Sequence, residues 1–308
     1  MAHSWSGNLV TNASWDDFWL NEGFTVYFEN RIMEELYGKE VADILVSIEF
    51  QELENTLKIE AEDDTKLKLN LLGRNPDDGM TDIAYIKGAS FLRTLEHKVG
   101  REKMDAFLKS YFNEFAFKTL TTEDFVKYLN EKLLDPNKIK FNTDEWIYKP
   151  GIPSNCILIT SDRLAKIELL ADNFLAGKNI FKKPILKREN FTTQEWQTFI
   201  RKLPSPMDPK LMKLLDKKLN FKGCGNAEIM AEWYVLAINS SYTDVRPNMQ
   251  RFLQKVGRRK YLEPIYYALA NSPNTYDIIW ARTVFSKYKS NYHFVSRSTV
   301  HDILNKKV

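Results

Sequence analysis

Cysteine and histidine are scarce in this 308-residue chain. Only Cys156 and Cys224 are present, which excludes a disulfide framework and any cysteine-rich zinc knuckle, and leaves room for one bridge at most. The four histidines, His3, His97, His293 and His301, lie far apart, so no single segment can supply a multi-histidine metal site. No apolar run approaches the roughly 20 residues that a membrane helix needs. There is little excess of one charge either: 44 Lys and Arg stand against 41 Asp and Glu, a net +3, interspersed along the chain. That balance lacks the clustered basic footprint of a nucleic-acid binder, so neither nucleic acid nor membrane is an expected partner. A Gly-rich phosphate loop, a nucleophile elbow and the kinase motif set are all missing. The first ten residues lack the basic, apolar, small-residue order of a secretory signal and read like the middle of a structured element.

What is there is a globular composition, 44% hydrophobic and 28% charged, in a length that about 100–200 residues per domain divides into two domains or one large one. Helical spacing dominates. Ser14 with Asp17 has the form of a capping box opening a helix over 15–37. A second helix over 39–60 carries Val41, Ile44, Leu45, Ile48, Leu53 and Leu57 at three- and four-residue spacing. Gly, Pro, Asn and Asp make 72–79 a loop, and helices are expected over 82–99, 101–116 and 121–134. Residues 142–155 lack periodicity and contain Pro150-Gly151-Ile152-Pro153, the signature of a linker.

Beyond it Asp162 opens a short helix ending near Gly177, Thr192 with Glu195 forms a capping box, and Asp208-Pro209 is an N-cap followed by proline. Further helices fall near 226–239, 245–256, 258–270, 274–288 and 297–306. Helix pairs returning every 30–40 residues or so describe a stacked α-helical solenoid. The expected fold is mainly α, with one unit over 1–141, a linker over 142–155 and an armadillo-like α-helical solenoid over 156–308.

For chemistry, a catalytic zinc takes three protein ligands and a water, and a helical His-Glu-x-x-His supplies two ligands one turn apart with a glutamate as general base. Met1-Ala2-His3 fits only the last three positions of that pattern, and Glu22 follows after eighteen residues. Read alone, the pair is a terminal histidine and a helix glutamate.

The strings around them say more. His3-Ser4-Trp5-Ser6-Gly7-Asn8-Leu9-Val10-Thr11 and Trp15-Asp16-Asp17-Phe18-Trp19-Leu20-Asn21-Glu22-Gly23-Phe24 resemble the zinc segment of peptidase family M1, the gluzincin aminopeptidases. The resemblance implies that His3 is the second histidine ligand and Glu22 the carboxylate ligand of zinc. It also implies that the first histidine and the general-base glutamate would precede Met1, so the chain is expected to be the C-terminal part of such an enzyme and inactive by itself. Tyr85-Ile86-Lys87-Gly88 is similar to the family's Tyr-x-Lys-Gly, whose tyrosine donates to the oxyanion of the tetrahedral intermediate. A phenol keeps its proton at neutral pH and suits that task.

Asn75-Pro76-Asp77, the Pro150–Pro153 stretch and Gly257-Arg258-Arg259-Lys260-Tyr261 followed by Pro264 look like the leukotriene A(4) hydrolase and aminopeptidase B branch. This implies that Arg258 and Lys260 bind the free carboxylate of a peptide substrate and that Asp77 lines an inner pocket. It implies, too, that the first unit is the helical lobe of a thermolysin-like catalytic domain. Two departures stand out: Met80 occupies the place of a tyrosine in leukotriene A(4) hydrolase, and the family's amine-gripping Gly-x-Met-Glu-Asn is missing. The alternative is a non-catalytic helical scaffold or interaction module. His97, His293 and His301 are expected at helix surfaces or ends, Glu49, Glu52 and Glu54 on a solvated face, and Trp146, Tyr148, Trp196 and Trp233 in the core.

Overall fold

The structure, a computed structural model, describes residues 1–182 and 191–305. The chain forms two compact units, Met1–Ser161 and Asp162–Val308.

In the first unit, α1 (Trp19–Tyr37) and α2 (Lys39–Ile59) are followed by a loop. Next come a π-helical turn at Ile83–Lys87, α3 (Gly88–Val99), α4 (Arg101–Glu114), α5 (Thr122–Leu129), a second π-helical turn at Asn130–Leu134, and the short α6 (Thr143–Ile147). Two three-residue strands, β1 (Val10–Asn12) and β2 (Lys118–Leu120), pair in parallel. The core is aromatic. Trp19, with no exposed surface, meets Phe91 and Phe125 edge-on, while Phe24 stacks on Tyr111 at 5.2 Å between ring centroids. Such pairs contribute beyond their buried area, and they fix α1 against α3, α4 and α5.

Beneath this core, Asp17 joins distant segments. It accepts hydrogen bonds from the Thr122 backbone N–H and Oγ1, each at 2.8 Å, and from Lys68 Nζ at 2.5 Å, and Trp19 Nε1 in turn donates to Thr122 Oγ1. These bonds hold the buried Asp17 carboxyl below its ordinary range against the burial that would raise it. The expected capping box at the start of α1 is therefore corrected. Ser14 donates to Asp17 Oδ2, but no side chain caps the helix, which begins at Trp19 after a 3-10 turn over Trp15–Asp17. Asp17 turns inward because burial gives it stronger partners than a local backbone amide.

The linker expected at 142–155 is likewise corrected. Trp146 and Ile147 are fully buried, Trp146 Nε1 donates to Asn155, and the Gly151 N–H donates to Thr65 Oγ1. This irregular stretch belongs to the first unit because its side chains complete that unit's core, and the division falls at Ser161.

The second unit contains α7 (Asp162–Leu175), α8 (Thr193–Lys202), α9 (Pro209–Leu219), α10 (Ala227–Asn239), α11 (Arg246–Lys255), α12 (Arg259–Ala270), α13 (Thr275–Tyr288) and α14 (Phe294–Asn305). Helices α8, α10, α12 and α14 pack one on the next, while α11 packs on α13 in the second row. This is the nearest-neighbour stacking of a solenoid. Two capping signals of the sequence form: Thr192 and Glu195 cap α8 reciprocally, and Asp208 accepts from Lys210 with Pro209 at the first helical position. Trp196 and Trp233 lie in this core.

Candidate active site

The first turn of α1 carries Glu22 and, one turn on, Thr25. A 3-10 turn at Ala2–Ser4 places His3 against them. His3 Nε2 lies 3.5 Å from Glu22 Oε2. Burial raises the Glu22 carboxyl above its usual range, and His3 beside it pulls it part of the way back. His3 Nδ1 lies 3.2 Å from the Ser6 carbonyl and 3.2 Å from Thr25 Oγ1. One imidazole nitrogen facing one carboxylate oxygen is a donor pair suited to zinc. Among the described residues, no group of three or more His, Cys, Asp or Glu side chains is arranged to hold a metal.

Tyr85 lies on the π-helical turn beside this pair, its ring edge-on to Phe18 at 5.8 Å. Burial, with the charges of Glu22 and Asp82, pushes its phenol up to about 12, so the hydroxyl stays protonated. Among the described residues it has no side-chain or backbone hydrogen-bond partner, which leaves the donor free. Two glycines make the neighbourhood of Glu22 and Tyr85 possible. A methyl on Gly23 would stand 2.8 Å from Gly88 Cα, and one on Gly88 would stand 2.9 Å from Gly23 Cα. With neither methyl present, α1 and the start of α3 touch backbone to backbone, and this contact brings the turn holding Glu22 up to the turn holding Tyr85.

Lys87, between Tyr85 and Gly88, has no exposed surface. Its Nζ donates to the carbonyls of Thr65 at 2.7 Å and Lys149 at 2.9 Å. Burial lowers its pKa to about 7, and a neutral amine still has two N–H bonds for these two carbonyls. The π-helical turn is thus fastened to two remote loops. Lys87, Gly23 and Gly88 sit inside the motif strings, yet their roles are packing roles that a motif does not reveal.

The remaining expected site residues lie on other elements. Asp77 is exposed in a 3-10 turn at Pro76–Gly79, where its backbone N–H is capped by Asn75. Met80 follows, 44% exposed. In the second unit Arg258 and Lys260 are exposed at the start of α12. Lys260 Nζ pairs with Glu228 at 3.0 Å, and both cations lie 6.0 Å from the centre of the Tyr261 ring. His97, His293 and His301 are exposed.

Glu49 departs from the solvated face expected of it. It accepts from Asn30 Nδ2 at 3.1 Å, and burial raises its carboxyl to about 7, opposed by Asn30 and Arg93. The cause is packing of α2 on α1, which covers the residue that helical periodicity alone leaves outside.

Residues 1–146 match the peptidase family M1 domain, and residues 191–304 match the leukotriene A4 hydrolase C-terminal domain. Leucine aminopeptidase 2-1 of Meyerozyma guilliermondii is 34% identical across 97% of this chain and 51% of its own length. Leucine aminopeptidase 2 of Emericella nidulans is 32% identical across 100% of this chain and 51% of its own. Among solved structures, yeast leukotriene A4 hydrolase in complex with bestatin is similar with a TM-score of 0.84 at 28% identity, covering 99% of this chain and 52% of that one. The chain spans about half the length of the relatives it matches. The chain is thus similar over most of its length to peptidase family M1 proteins, with a peptidase family M1 domain match over residues 1–146 and a leukotriene A4 hydrolase C-terminal match over residues 191–304.

Proposed function

We propose that this chain carries one face of a zinc aminopeptidase site, which releases N-terminal residues from peptides. The observation that carries the reading is the approach of His3 Nε2 to Glu22 Oε2 at 3.5 Å, with the protonated Tyr85 hydroxyl unengaged beside them. His3 and Glu22 would hold the metal. Zinc, when bound, polarises the scissile carbonyl and activates a water. Tyr85 would donate its hydroxyl proton in a hydrogen bond to the oxyanion, Arg258 and Lys260 would take the free carboxylate of the peptide, and Asp77 would line the pocket.

The resemblance assigns two protein donors, His3 and Glu22, where a catalytic zinc takes three. The polypeptide alone is therefore expected to bind zinc weakly and turn over aminoacyl substrates negligibly. Elemental analysis and an aminoacyl-substrate assay on the purified chain test this, and stoichiometric zinc with robust turnover would overturn it. Absence of any zinc binding would favour the second reading, a catalytically silent helical scaffold, which the two-donor inventory among the described residues also supports.

A further inference from the structure

Among the described residues, four buried side-chain N and O atoms have no hydrogen-bond partner: Asn30 Oδ1, Ser90 Oγ, Arg93 Nη2 and Trp233 Nε1. Asn30 and Arg93 border one cavity of about 210 Å³ in the first unit. Buried polar groups in a folded protein are nearly all satisfied, so an orphaned donor and an orphaned acceptor at the same hollow call for a guest.

The other charges at this cavity are already paired. Lys39 pairs with Asp43 at 2.7 Å, Arg101 with Glu34 at 2.7 Å and with Glu96 at 2.6 Å, and Arg31 with Asp105. Glu96 also accepts from Tyr27, and His97 lies on the exposed rim. Glu49 offsets Arg93 electrostatically, yet its hydrogen bond is with Asn30 Nδ2 at 3.1 Å, and Arg93 Nη2 is left open. With cations and carboxylates matched, no net field favours a lone anion or a lone cation. What the cavity offers is one guanidinium nitrogen that must donate and one amide oxygen that must accept.

A second wall is aliphatic. Ala42 and Val46 stand one turn apart on α2, and Ile157 and Ile159 also line the cavity, with Leu158 between them 60% exposed. Their stretch of chain is tied down: the Ile157 N–H donates to Thr94 Oγ1 at 3.2 Å, and Ser47 Oγ donates to the Ile159 carbonyl at 2.8 Å. The walls are therefore in place before any ligand arrives.

We infer that this cavity binds a free α-amino acid with a branched aliphatic side chain. The carboxylate accepts from Arg93 Nη2, the ammonium donates to Asn30 Oδ1, and the side chain lies against Val46 and the two isoleucines. A zwitterion meets both orphaned atoms without adding net charge, and a carboxylate on a desolvated guanidinium makes one of the stronger hydrogen bonds. Water would satisfy the two polar atoms but gain nothing from the aliphatic wall. The volume is below the roughly 300–1,000 Å³ of drug-sized pockets, which suits an amino acid and excludes a long peptide. A free amino acid is also what the proposed peptidase reaction releases, but the cavity would bind one whether or not the chain hydrolyses peptides.

The test is isothermal titration calorimetry of L-valine into the full chain, without zinc and at about pH 8, above the ordinary histidine range. Saturable binding at one site is expected. Isovalerate, which lacks the amine, and isobutylamine, which lacks the carboxylate, should each bind at least about 10-fold more weakly, because each leaves one buried atom unmet. Arg93→Gln should weaken L-valine by at least about 10-fold as well. Val46→Phe, which fills the cavity from its apolar side and leaves the polar pair in place, should abolish binding with the circular dichroism spectrum unchanged. If Arg93→Gln does not fold, the two analogues on the wild-type chain still decide its role, and Ile159→Trp repeats the filling if Val46→Phe does not fold. His3→Gln should bind as wild type does. No saturable binding would make the hollow a water site and overturn the proposal. Equal affinity for isovalerate, which would make it an anion site, overturns it too, as does undiminished binding in the filled variant. Loss of binding in His3→Gln would put the amino acid at the His3–Glu22 pair and overturn the assignment to this cavity.

Discussion

The two units bury polar side chains over different distances in sequence. In residues 1–161 several buried bonds are long: Asp17 reaches Thr122 across 105 positions and Lys68 across 51, Trp19 reaches Thr122 across 103, and Lys87 reaches Lys149 across 62. From 162 onward the bonds that join one helix pair to the next span 26 to 39 positions. Arg163 meets Glu195 at 32 positions, Tyr242 meets Asp216 at 26, Arg246 meets Asp277 at 31, Tyr261 meets Glu228 at 33, and Tyr292 meets the Leu253 carbonyl at 39. The second set is the spacing of one helix pair to the next, the mark of a chain stabilised by neighbouring repeats. The first set belongs to a unit in which no segment is complete without a remote one. Damage should accordingly spread through the first unit and stay local in the second.

Asp17→Ala is the severest test of that contrast. It strands the Thr122 N–H and leaves Lys68 without its buried partner, and breaking such a pair costs about 3–5 kcal/mol. Hydrogen exchange read peptide by peptide should show faster exchange in α1, α3 and α5 together, with α10 to α14 unchanged. Protection lost only within a few residues of position 17 would erase the distinction between the units.

Glu49→Gln should act in the opposite direction, and only above a certain pH. Burial raises the Glu49 carboxyl from 4.5 to about 7. Between those values the folded chain holds more protons than the unfolded one, so stability falls as pH rises through the window. The loss is complete above about 7 and absent below 4.5. Glutamine keeps an acceptor for Asn30 and removes the charge, so the variant should gain up to about 3 kcal/mol above pH 7, at about 1.4 kcal/mol for each pH unit of the window. Denaturant unfolding at two pH values checks this, and an equal gain at both would show that charge is not the cause.

Asp277→Ala is the solenoid counterpart. Asp277 accepts from Arg246 and from Ser272, and losing hydrogen bonds to a charged group costs about 2 kcal/mol. Faster exchange should be confined to α11, α13 and their immediate neighbours. Loss extending back to α7 would mean that the second unit is as cooperative as the first.

The same contrast explains what could be read in advance. The helices of both units follow from apolar spacing and from Thr192, Glu195, Asp208 and Pro209, all of which act within a few residues. The similarity to peptidase family M1 was legible because the strings around His3, Glu22 and Tyr85 keep that family's spacing and residue types. The misreadings fall where a remote partner overrides a local signal. Asp17 leaves its expected box for Thr122, Glu49 is covered by α1, and 142–155 is drawn into the core through Trp146. The π-helical turn under Tyr85 adds one residue to a helix without changing its composition, and strands of three residues carry no period. Asn30 and Arg93 gave no signal, because a polar residue on a helix is ordinary until a cavity is seen beside it.

The smallest effect uses one motif present in both units. Thr121 with Asp124 caps α5, and Thr192 with Glu195 caps α8, each reciprocally. The first box is exposed. In the second, Glu195 is 3% exposed and also holds Arg163 of α7, so the cap is joined to a contact between helices. Replacing a threonine N-cap by alanine costs about 0.5–2 kcal/mol. Thr121→Ala should fall at the low end and Thr192→Ala at the high end, because freeing the first turn of α8 also loosens Glu195 against Arg163. Chemical denaturation of the two variants, with Arg163→Met added to each, decides the matter: the second change should interact with Thr192→Ala and be additive with Thr121→Ala. Equal costs and additivity in both would show that a capping box is worth the same wherever it sits, and that the solenoid's neighbour contacts do not reinforce its local signals.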